Sequence, residues 1–90
     1  MASKAEISWK CRTAEGERRE VYAQHVGDRW FFYEREKRFD QWQLMKAPPL
    51  EDWLELLDAV RRRIGRRLVR PEEEGRLIKS ILERFPGASL

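Results

Sequence analysis

Hydrophobic and polar positions alternate along the first half of this chain and recur every three to four residues along the second. Ile7, Trp9 and Cys11 alternate with Ser8, Lys10 and Arg12, the period-two signal of a half-buried strand. The polar, Gly-containing stretch Thr13-Ala14-Glu15-Gly16-Glu17 reads as the first turn. The run from Val21 to Tyr33 reads as a β-hairpin turning at Gly27-Asp28, because Gly supplies the positive φ that a two-residue hairpin turn needs. That turn predicts a register: Val26 opposite Arg29, His25 opposite Trp30, Gln24 opposite Phe31, Ala23 opposite Phe32 and Tyr22 opposite Tyr33. Glu36 to Asp40 is a charged loop, and Gln41 to Met45 alternates again as a fourth strand. Connections this short predict a four-stranded antiparallel β-meander over about residues 5–46.

At Pro48-Pro49 the period changes. Pro suits the first turn of a helix, and Glu51 and Asp52 suit the positive end of its dipole. Trp53, Leu57, Val60 and Ile64 recur at helical spacing, with Leu50, Leu54, Leu56 and Leu68 widening the stripe. The predicted helix covers about residues 50–68, with Gly65 weakening its last turn. A second helix opens at Pro71 and runs to about residue 85. Glu72, Glu73 and Glu74 fill its first turn, and Leu77, Ile78, Ile81, Leu82 and Phe85 form its apolar face. The predicted class is α+β in a single small domain of 90 residues: a four-stranded antiparallel meander followed by two helices.

Alternation also sorts the hairpin side chains by face. Val21, Ala23, His25, Trp30 and Phe32 share one face, and Trp30 and Phe32 are expected in the main core with Val21 and Ala23. Tyr22, Val26, Phe31 and Tyr33 share the other. A sheet in a small domain buries one face and wets the other, so a second aromatic face calls for a helix, a second subunit or a ligand.

Composition changes this picture in three ways. The 39% charged residues and a mean hydropathy of −0.80 describe a strongly solvated surface, while 41% hydrophobic residues supply a core. The net charge of +3 permits an anionic partner without requiring one. A single Cys excludes an internal disulfide framework and fits a reducing cytoplasm, and no apolar run approaches the roughly 18 residues of a membrane span. A soluble cytoplasmic protein is expected.

Candidate chemistry is sparse. One Cys and one His cannot build a four-ligand zinc site, and no phosphate loop, nucleophile elbow or metal-ligand helix signature is present. Neither catalytic residues, metal nor cofactor is expected, and the reading is non-enzymatic. His25 reads as a packed residue and Cys11 as a buried, inert thiol.

Two features point to binding. Six of the ten residues from Arg61 to Arg70 are arginine, with no acid among them. Such clusters supply the salt-sensitive, sequence-independent part of nucleic-acid binding. The competing reading is structural: cations suit a helix C-terminus, Asp58 lies at pairing distance from Arg61 and Arg62, and Glu72 to Glu74 follow. The second feature is the face carrying Tyr22, Phe31 and Tyr33 with Arg29 and Arg35. Aromatic platforms beside basic groups bind unpaired bases, although strand aromatics are also ordinary core.

A twisted meander followed by a helix resembles, at fold level, the Pur-alpha and Whirly single-strand binders; no motif carries a family's residues onto this chain. That likeness is analogy, and fold does not give function. The arginine block and the aromatic face are what lead to an expectation of single-stranded nucleic-acid binding, with Arg29, Arg35, Arg61, Arg62, Arg66 and Arg67 on phosphates and Tyr22, Phe31 and Tyr33 on bases. The alternative is a protein-interaction or accessory module whose acidic and basic blocks meet another protein, a second copy of the chain included.

Overall fold

The computed structural model describes residues 6–27, 29–36 and 40–90. Four strands, β1 (Glu6–Arg12), β2 (Arg18–Val26), β3 (Arg29–Arg35) and β4 (Gln43–Leu44), form one sheet in the order β1-β2-β3-β4, with every neighbouring pair antiparallel. Two helices follow, α1 (Leu50–Gly65) and α2 (Glu72–Arg84), giving the expected α+β class. The chain divides into two compact units, Met1–Pro48 and Pro49–Leu90, each described below by itself.

In the sheet unit the predicted hairpin register holds from Val26↔Arg29 to Tyr22↔Tyr33. Gly27 carries a φ of 61°, in the left-handed region where a Cβ is costly. Asp28, the other turn residue, and residues 37–39 of the predicted charged loop lie outside the described residues. The first turn closes with the Thr13 amide donating to the Glu17 carbonyl at 2.9 Å.

Ile7, Val21, Ala23 and Phe32 are buried and share one face, because Ile7 and Phe32 both lie opposite Ala23. Trp9 meets Phe32 edge-on at 6.1 Å on that face. Trp30 departs from its expected place in the core. It is only half-buried, because it sits next to the hairpin turn at the end of the sheet, where its cover is the cross-strand His25 ring at 4.3 Å. Cys11 is likewise half-buried rather than buried, with an Arg19 N–H reaching its Sγ at 3.5 Å. The fourth strand is only two residues long, although the Met45 amide still donates to the Phe32 carbonyl at 2.8 Å.

In the helical unit α1 buries Trp53, Leu56, Leu57, Ala59 and Val60, together with Asp52. Leu54 and Leu68, expected in the stripe, are exposed. The helix stops at Gly65 rather than near Leu68, since the backbone reverses hand two residues later. Helix α2 buries Leu77 and Ile81, one turn apart, while Ile78 and Phe85 are half-buried and Leu82 is exposed. It ends one residue early because Phe85, with φ −133° and ψ 75°, is extended ahead of Pro86.

Candidate nucleic-acid interface

Helix α1 brings the arginine block to its C-terminal end, where the unpaired carbonyls favour cations. The amide of Leu68 donates back to the Arg63 carbonyl at 2.8 Å, and that of Arg67 donates to the Ile64 carbonyl at 3.0 Å. This pair of bonds is a Schellman motif, with Arg66 as the C-cap and Arg67 as the left-handed residue beyond it. Arg67 has φ 61° and is the one non-Gly residue with positive φ among those described. Gly ordinarily fills this position, since a Cβ there costs about 1–2 kcal/mol. The apolar contact that often accompanies the motif is weak here, because Leu68 remains 64% exposed.

The arginines of this block fall into two sets. Arg61 donates to Glu74 across the two helices at 2.6 Å, and Arg62 pairs with Asp58 one turn back. Glu73 is engaged by Arg76 at 3.3 Å. The neighbouring acids therefore neutralise part of the block. Arg63, Arg66, Arg67 and Arg70 have no side-chain hydrogen bond or ion pair among the described residues, and the last three are exposed.

The sheet unit gathers a second group. Tyr22 and Tyr33, directly opposite across β2 and β3, stack at 4.7 Å with ring planes 17° apart. Trp42 meets Tyr22 edge-on at 4.7 Å, and the Arg35 guanidinium lies over the Trp42 ring at 4.2 Å. Arg35 also donates to Glu20 at 2.7 Å. Tyr22, Tyr33, Trp42, Arg35 and Glu20 thus form one connected set, with the Tyr22 ring engaged by two neighbours and the Arg35 charge balanced. Burial pushes the Tyr22 phenol above its ordinary range, with Tyr33 and the Glu6 carboxylate adding to the shift.

Phe31, half-buried on the same face, has no ring partner among the described residues, and Arg29, two residues before it, is exposed without an ion pair among them. Tyr22, Tyr33 and Arg35 come together on one face; Arg61, Arg62, Arg66 and Arg67 belong to the helical unit. Trp42 was the missing member of the aromatic set. Its signal was the alternation of strand four, which puts it in phase with Leu44, the partner of Tyr33.

Other chemistry is thin. Among the described residues no three His, Cys, Asp or Glu side chains converge as metal ligands, and no helix is long and apolar enough to cross a membrane. No protein-family model, no curated protein and no solved structure matches this chain.

Proposed function

We propose that this protein is a non-enzymatic module that binds single-stranded nucleic acid, with Arg66, Arg67 and Arg70 holding backbone phosphates. One observation carries the reading: an exposed arginine occupies the left-handed position of a helix C-terminal turn where glycine costs less. Strained backbone of this kind is held in place by the structure around it and clusters at functional sites. Arg66 and Arg70 flank it, exposed and without side-chain partners among the described residues.

Arginine forks suit phosphate oxygens, because the planar guanidinium offers two parallel donors. Arg61 and Arg62 play the lesser role, since Glu74 and Asp58 already hold them. On the sheet, Phe31 is the ring best disposed to accept a base, with Arg29 beside it and Tyr33 next along the face. Tyr22 and Arg35 support that face from within the connected aromatic set.

Fluorescence anisotropy with a labelled single-stranded oligonucleotide at two salt concentrations tests this. Replacing Arg66, Arg67 and Arg70 together with Gln is expected to weaken binding and flatten the log-affinity against log-salt slope by about 0.7 per lost phosphate contact. Phe31→Ala is expected to cost roughly 1–3 kcal/mol of affinity with little change in slope. Absence of binding to the wild-type protein at low salt would end the reading.

A further inference from the structure

The two edges of the sheet are unlike. Strand β4 is two residues long and offers little to pair with, one of the ways a sheet edge is kept inert. Strand β1 is seven residues long, and its outer edge is paired with no other strand among the described residues.

The ladder fixes which backbone groups of β1 point outward. The Thr13–Glu17 bond and the pairs Ile7↔Ala23, Trp9↔Val21 and Cys11↔Arg19 have the same parity in one ladder. Antiparallel ladders alternate bonded and non-bonded pairs, so Ile7, Trp9 and Cys11 turn their amides and carbonyls toward β2. Those of Glu6, Ser8, Lys10 and Arg12 face away from it. The side chains of these same four residues are all exposed.

We infer that the β1 edge pairs with the β1 edge of a second copy of this chain, antiparallel about a two-fold axis at Trp9. Only a register that places Glu6, Ser8, Lys10 and Arg12 of one copy opposite members of the same set satisfies the outward backbone groups. Centring on Trp9 uses the whole strand. It sets Glu6 opposite Arg12 and Ser8 opposite Lys10, twice over by symmetry, with each pair exchanging both backbone bonds. Centring on Lys10 would oppose two lysines, and centring on Ser8 would leave Arg12 without a partner inside the described strand. The strand is acidic at one end and basic at the other, so a reversed copy meets complementary charge at both ends. The Arg12 guanidinium donates one N–H to the Gly16 carbonyl at 3.0 Å, and its remaining donors suffice for Glu6 of the other copy.

Sedimentation equilibrium across roughly 1 µM to 1 mM chain tests the pairing. The wild-type mass is expected to rise from 10.9 kDa toward twice that value. Glu6→Lys, which puts two cations opposite each other, is expected to weaken association roughly tenfold. Adding Arg12→Glu to it is expected to restore association to within about threefold. Lys10→Pro removes an outward amide without touching the β1–β2 ladder, so it should give a monomer with unchanged circular dichroism. A wild-type mass that stays at 10.9 kDa throughout would overturn the inference. So would a charge reversal that the second reversal does not rescue. If Lys10→Pro unfolds the chain, the charge-swap pair alone decides.

Discussion

The arginines of the sheet and those beyond the end of α1 are the same residue type in opposite circumstances. Arg19 donates to Glu34 at 2.8 Å and also reaches Cys11 and Met45, while Arg35 is held by Glu20 and lies over Trp42. Both are largely screened from water. Arg66, Arg67 and Arg70 are exposed and unpaired among the described residues, and Arg67 stands on a backbone that glycine would occupy at lower cost. A count of basic residues treats these groups alike. Their geometry separates arginines held within the sheet from arginines left exposed and unpaired among the described residues.

The largest expected effect breaks this contrast on the sheet side. Arg35→Ala removes a charge-assisted hydrogen bond and a cation–ring contact, and is expected to cost roughly 1.5–3 kcal/mol in urea denaturation. Arg66→Ala under the same conditions should stay within about 0.5 kcal/mol of wild type. Equal losses from the two substitutions would erase the distinction.

Arg67→Gly sharpens it from the other side. Removing the Cβ from a left-handed position should raise stability by about 1 kcal/mol, while oligonucleotide affinity falls. A variant that gains stability and keeps full affinity would show that Arg67 carries no binding role.

Gly75 gives the control, at roughly 0.5–1 kcal/mol. It lies inside α2, exposed, and a Cβ there would meet nothing within 4 Å. Gly75→Ala should therefore stabilise the helix and leave oligonucleotide binding unchanged. A drop in binding with Gly75→Ala would mean that rigidity of the helical unit, rather than the loss of Arg67, explains the weaker binding of Arg67→Gly.

The smallest effect is one of pH. Because the Tyr22 phenol is held above its ordinary value in the folded chain, the unfolded chain loses that proton first as pH rises. Stability is then unaffected below about pH 10 and falls above it. Tyr22→Phe should remove that part of the alkaline loss, as followed by denaturant midpoints between about pH 9 and 11. An unchanged alkaline slope would place the ionisation elsewhere.

Local rules in the sequence determined the elements and the hairpin pairing. Period-two alternation marked the strands, Gly27 set the register down to Tyr22↔Tyr33, and Pro48-Pro49 marked the change to helix. These features depend on neighbours in the chain, and the backbone's few allowed conformations translate them directly. Tertiary structure decided what the arginines do and which rings meet. That Glu74 takes Arg61 while Arg66 and Arg70 have no side-chain partner among the described residues depends on where α2 returns against α1. Trp42 joins Tyr22 because β4 folds back beside β3. The end of α1 was legible only in part: Gly65 marked the weak turn, but the reversal of hand fell at Arg67. A side chain's charge and shape are written in the sequence. Whether that charge is already spoken for depends on groups brought close by the fold, which no local pattern encodes.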